Sequence, residues 1–259
     1  MTELTVRTSA EWVVYFRGNR ENLLDIPWET GAGLTSEERE IVAGSLPAWQ
    51  LGESSDGRHL LAAATHYAEN LRDPDFVVAV RLFIAEEQRH GAELGRFLDL
   101  AGIPRKNWDW GDAMFRAFRY FLPRMEIWAT PVVMVETHAM IYYAAIRRVT
   151  SSLVLRRICE QILKDEVPHI RFQCERLAIL HRDRPRWLHT LTMLGHRVLF
   201  TGITLAVWTA HRRALRAGGF SFRRFWRTAW GKMGVAWKKM DPKSYSWPAM
   251  SPAFSWSRG

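Results

Sequence analysis

Two stretches of this chain hold residue types that could do chemistry together: Glu86-Glu87-Gln88-Arg89-His90 and Asp165-Glu166-Val167-Pro168-His169. Each sets a carboxylate three residues before an imidazole, and on an α-helix that spacing turns both side chains onto one face. Each couple also follows a second acid. At helical spacing Glu87 is flanked by Val80, Phe83, Ile84 and Leu94, and Glu166 by Cys159, Ile162, Leu163 and Ile170; Phe172 follows His169. Glutamates that merely pair with neighbours in solvent would lie on polar stripes, whereas only Gln173 interrupts these apolar ones. A carboxylate in such surroundings is costly unless something compensates its charge. A pair of divalent cations would do so.

Two more acids complete a pattern. Glu53 precedes Glu87 by 34 positions and Glu136 precedes Glu166 by 30, so a lone glutamate followed by Glu-x-x-His occurs twice. Four helices folded as two antiparallel hairpins can bring Glu53, Glu87, His90, Glu136, Glu166 and His169 to one centre. Four carboxylates offset two divalent ions, and two neutral imidazoles complete the set. Oxygen and nitrogen donors suit iron or manganese better than structural zinc. Without metal the four acids repel one another, so some are expected to be protonated. Metal-bound imidazoles usually give their remaining N–H to a carboxylate; Glu86 is expected to orient His169, and Asp165 to orient His90.

The elements that must position these residues read as helices. Residues 1–34 form an N-terminal arm with one helix, and Thr35-Ser36-Glu37-Glu38 has capping-box spacing for a helix starting near residue 36. A helix over 47–71 would carry Glu53, although Gly52, Ser54, Ser55 and Gly57 favour helix poorly. Asp73-Pro74 starts the next helix, which carries Glu87 and His90 to Ala101, before Gly102 and Pro104. Residues 103–124 read as a crossover, 125–149 as the Glu136 helix, and 151–181 as the Glu166/His169 helix. Pro168 inside that last helix removes a backbone hydrogen bond, a cost of about 3 kcal/mol, which predicts a local bulge. Two further helices, 186–217 and 221–237, flank Gly218-Gly219, and an irregular arm follows from Met240. No strand pattern is visible. His59, His66 and His138 do not stack on Glu53 or Glu136 and read as structural; Tyr142 and Tyr143 read first as core, although both could lie near the metals, Tyr143 being seven residues after Glu136.

The 259 residues can bury one large core, and the 47% apolar and 24% charged composition is that of an ordinary globular domain. Cys159 and Cys174 read as reduced thiols, and residues 1–6 lack a basic region and apolar run, so the expectation is a cytoplasmic protein. The mainly apolar run Val198–Ala210 falls short of the about 20 residues that span a bilayer. It could still lie at a membrane surface. The net charge of +9 is uneven: from residue 181 onward there are 15 Lys/Arg and 2 Asp/Glu. Cations interleaved with Phe220, Phe222, Phe225, Trp226, Trp230 and Trp237 suit an anionic partner, whether an acidic carrier protein, a membrane surface or RNA.

With these motifs the chain resembles the ferritin-like di-iron carboxylate superfamily over residues 47–182. Locally, Ala85-Glu86-Glu87-Gln88-Arg89-His90-Gly91-Ala92-Glu93-Leu94 and Phe97-Leu98-Asp99-Leu100-Ala101-Gly102 look most like the soluble acyl-carrier-protein desaturases. Asp165-Glu166-Val167-Pro168-His169 departs from the desaturase second motif by its proline and by lacking a basic residue before the histidine. The resemblance implies an all-α ferritin-like four-helix bundle over 35–182, with the arm 1–34 and a basic helical extension over 183–259. It implies two Fe, with Mn as an alternative, held by the six residues above. It also implies an enzyme that uses O₂ to hydroxylate, desaturate or otherwise oxidise an organic substrate, with electrons from a separate ferredoxin or reductase. A homodimer is a further expectation. Ferroxidase, iron-storage or peroxide-scavenging activity, and RNA hydroxylation, are the alternatives.

Overall fold

The computed structural model describes residues 4–109 and 125–247, and over these the chain is all-α apart from one pair of two-residue strands. In order the helices are α1 (Ser9–Glu21), α2 (Ser36–Ala43), α3 (Leu46–Glu53), α4 (Arg58–Leu71), α5 (Pro74–Leu100), α6 (Met125–Val149), α7 (Leu153–His181), α8 (Arg186–Ala217) and α9 (Phe222–Met240). Their starts follow local chemistry. Thr8 with Glu11, and Thr35 with Glu38, close capping boxes. Asp73, Ser152 and Ser221 each accept a backbone N–H of the first turn.

Three expectations are corrected. The helix over 47–71 is two helices, α3 and α4, because Ser54–Gly57 breaks it: Gly57 has φ +65°, and a Cβ there would come within 2.6 Å of Ile84. No bulge interrupts α7 at Pro168, and Leu153–His181 is α-helical throughout. Strands do exist, although only as β1 (Leu4–Thr5) paired in parallel with β2 (Tyr245–Ser246), which ties the two ends of the described chain together. Of the expected crossover, 103–109 is irregular and the rest lies outside the described residues.

Helix α5 is contacted by α1, α3, α4 and α7; α6 packs along α7, and α8 and α9 cover α6 and α7. Two apolar cores result. On α5 the first takes Phe76, Ala79, Val80 and Phe83, and the second takes Leu94, Phe97 and Leu98. On α7 the order is reversed: Val154 to Ile162 belong to the second core, and Phe172, Cys174 and Leu177 to the first. The two helices therefore run in opposite directions, and Glu86–His90 and Asp165–His169 fall in a polar layer between the cores. Among the described residues one helix, α8, is long and apolar enough to cross a membrane by length and composition, and 22% of its most apolar stretch is buried.

Candidate metal centre

Glu53 ends α3, Glu87 and His90 lie on α5, Glu136 on α6, and Glu166 and His169 on α7. All six meet in the polar layer. Their donor atoms form two groups, Glu53 with Glu87, His90 and Glu166, and Glu136 with Glu87, Glu166 and His169; within each group the atoms lie within 4.8 Å of one another. Glu87 and Glu166 belong to both groups. Each group could hold a metal ion.

The imidazoles are fixed from behind by the acids that precede the opposite motif. His169 Nε2 donates to Glu86 Oε2 at 2.8 Å, and His90 Nε2 donates to Asp165 Oδ2 at 2.9 Å. On a helix of 3.6 residues per turn, consecutive side chains diverge by about 100°, so Glu87 can face the centre while Glu86 reaches sideways. With Nε2 donating, each Nδ1 turns toward the carboxylates: His90 Nδ1 is 3.9 Å from Glu53 Oε2, and His169 Nδ1 is 2.8 Å from Glu87 Oε1 without hydrogen-bond alignment.

Asp165 and Glu86 are themselves held. Asn19 of α1 donates its Nδ2 to Glu86 Oε1 at 2.9 Å and to Asp165 Oδ1 at 2.8 Å, bridging the two acids. Gln161 and Arg89 also donate to Asp165, at 2.8 Å and 2.6 Å. Burial pushes the Asp165 carboxyl up, but His90, with Gln161 and Asn19, outweighs it and holds the carboxyl below its usual range. Tyr143, read as core, instead donates its hydroxyl to Glu53 Oε1 at 2.9 Å. The N-terminal arm thus supplies a residue that the sequence reading did not place at the site. The available sign was Asn19 itself, a polar side chain in helical step with Trp12 and Phe16.

The unmet polar atoms test whether these residues fit a metal. Both oxygens of Glu136, Glu87 Oε1, Glu166 Oε2, His90 Nδ1 and His169 Nδ1 are buried without a hydrogen-bond partner. Buried atoms of this kind are normally satisfied. Burial raises Glu136 to about 8, with the Glu87 charge adding to it. Burial also pushes Glu53 and Glu166 well above the carboxylate range, again with Glu87 contributing. Glu87 is likewise raised by burial, but His169 and His90 outweigh this and leave it lowered. His169 is raised despite burial, through Glu86 and Glu87. The raised acids keep protons in the absence of cations, and the unmet acceptors of each group could hold a metal ion.

Three other histidines stay out of the centre. His138 is buried, its Nδ1 donating to the Met134 carbonyl at 2.7 Å, and burial lowers it to about 4. His59 stacks on Trp128, and neither it nor His66 belongs to either donor group.

A cavity of about 410 Å³ borders the centre, with Glu53, Glu87, Glu136 and Glu166 in its lining. Most of the remaining wall is apolar, including Trp49, Phe83, Trp128, Val132, Ile203 and Val207. Asp56, Arg58, His59 and Ala210 line it and are exposed, which places its mouth between the α3–α4 connection and α8. No known protein family, curated protein or solved structure matches this chain, so its functional reading rests on its own residues.

Proposed function

We propose that this protein is a di-iron oxidase or oxygenase built on a ferritin-like four-helix bundle. The observation that carries the reading is the cavity: an apolar space large enough for an organic molecule opens onto the same four carboxylates that converge with the two imidazoles. A site that only stored or oxidised iron would not need it.

In this reading Glu53 with His90, and Glu136 with His169, would each hold one iron, and Glu87 and Glu166 would contact both. Bound iron supplies the electron-transfer chemistry with O₂ that side chains alone lack. The chain's own residues do the rest. Glu86 and Asp165 fix the imidazole rings and keep the proton on Nε2, leaving Nδ1 as the donor to metal. Tyr143 holds one oxygen of Glu53. Trp49, Phe83, Trp128, Val132 and Val207 orient an apolar substrate beside the carboxylates and exclude water from it. Electrons come from a separate ferredoxin or reductase.

The purified protein is expected to carry about two irons per chain, as such bundles do. Glu87→Ala and His169→Ala are each expected to lose metal while retaining helical circular dichroism. Single-turnover product analysis after O₂ is added to the reduced protein, with acyl and aryl substrates, tests the reaction. Full metal retention in both variants, or reduced iron that meets O₂ without oxidising any organic probe, counts against the reading.

A further inference from the structure

Helix α8 has two faces in different surroundings. Ile203, Ala206, Val207 and Ala210 wall the cavity. On the outer side Trp187, Leu191, Leu194, Val198 and Leu205 follow one another at helical spacing and share one face, with exposures of 66%, 56%, 57%, 67% and 46%. At 1.5 Å per residue the stripe runs for about 27 Å. Contiguous exposed apolar surface of this kind marks an interaction site.

Charge identifies the occupant. Arg186, Arg197, Arg212 and Arg216 are exposed on the same helix, as are Arg223, Arg227 and Lys238 on α9. No acid occurs between Asp183 and Asp241. An apolar stripe among cations matches the headgroup and acyl boundary of an anionic bilayer. RNA would leave Leu191, Leu194 and Val198 in water. Antiparallel pairing with a second copy about the middle of the stripe would set Arg197 beside its own counterpart. Spanning is disfavoured because Phe200, Thr204, Ala214 and Leu215 are buried on the inner face, where α8 packs on α6.

We propose that the outer face of α8 docks on an anionic lipid bilayer, in the headgroup plane, and that the cavity behind it draws an amphiphilic organic substrate from that bilayer. The mouth bordered by Ala210, Arg58 and His59 lies at this helix. The docking stands without the oxidase reading, whereas the supply of substrate rests on it.

The test uses the full chain, iron-loaded, floated with vesicles of phosphatidylcholine alone and of phosphatidylcholine mixed with phosphatidylglycerol. Binding is expected to the anionic vesicles and to weaken with salt. The combined variant Leu191→Glu, Leu194→Glu, Val198→Glu should lose about tenfold or more in affinity, as should Arg212→Gln with Arg216→Gln. Both should keep wild-type circular dichroism and metal content. No binding to anionic vesicles, or binding that the stripe variant leaves intact, overturns the docking. So does a dimer that the stripe variant dissociates, or capture of RNA in place of lipid. Without vesicles, dansyl-undecanoic acid is expected to bind wild type and to lose binding in Ala206→Trp, with flotation and metal content unchanged. Equal binding in the two overturns the cavity's part. Flotation and probe binding in a protein that takes up no iron would refute the oxidase reading and leave the docking standing.

Discussion

Gly91 of α5 lies against the backbone of Glu53: a Cβ at position 91 would come within 3.0 Å of the Glu53 carbonyl carbon and 2.7 Å of Ser54 Oγ. The missing side chain lets the end of α3 descend onto α5 and bring its glutamate to the centre. Gly→Ala inside a helix ordinarily gains up to about 1 kcal/mol. At this position overpacking of about 1–3 kcal/mol opposes that gain. Gly91→Ala is therefore expected to lower the thermal midpoint and the metal content per chain together. A variant that is more stable and fully metallated would show that the close approach does not matter.

The crossed contacts Asp165 to His90 and Glu86 to His169 lead to a second prediction. Asp165→Asn and Glu86→Gln preserve shape but weaken the hold on the ring N–H. Metal affinity, measured by competition with a chelator, should fall about 10–100-fold in each. Equal affinity in wild type and both variants would remove these acids from any positioning role.

Protonation provides a third test. In the metal-free protein Glu136 keeps its proton to about 8, against an ordinary value of 4.5, and His169 is also raised. Below about 6.5 the lowered His138 opposes this, since its unfolded imidazole binds a proton that the buried one does not; from there to about 8 the folded state binds more protons than the unfolded one and stability falls as pH rises. With chelator present, the denaturant midpoint is expected to decline from about pH 6.5 toward 8. With metal bound, these carboxylates stay ionised and the decline should vanish. A flat metal-free profile contradicts the buried-acid account.

A fourth prediction concerns Asn19, whose single amide serves both Glu86 and Asp165. Asn19→Leu keeps the packing of α1 through Trp12 and Phe16 but strips Glu86 Oε1 of its donor. Leaving such an acceptor unsatisfied costs about 1–3 kcal/mol. Chemical denaturation should show a loss of that order, and wild-type stability would mean that water replaces the amide.

Much of the helical order was legible because its punctuation is local. Asp73-Pro74, Ser152 and Ser221 announce α5, α7 and α9, and a one-turn periodicity aligns Glu87 with His90 and Glu166 with His169. The break between α3 and α4 was legible in part, because Gly52, Ser54, Ser55 and Gly57 favour helix poorly and no aliphatic or aromatic residue falls between Leu51 and His59, while the deciding contact, Gly57 on Ile84, is tertiary. Asn19 and Tyr143 reach the centre through the way α1 and α6 pack; their local signs, Asn19 in helical step with Trp12 and Phe16 and Tyr143 seven residues after Glu136, do not say which acid each side chain meets. The β1–β2 pair joins residues at opposite ends of the chain and is too short to leave a period.

The hydroxyl of Tyr143 gives the internal repeat a handedness that the spacing of its acids does not. Glu53 receives it, whereas its counterpart Glu136 has both oxygens without a partner. Two locations that look interchangeable in the primary structure would therefore differ in affinity. Titration of the empty protein with ferrous ion should then proceed in two separable steps, filling one half before the other.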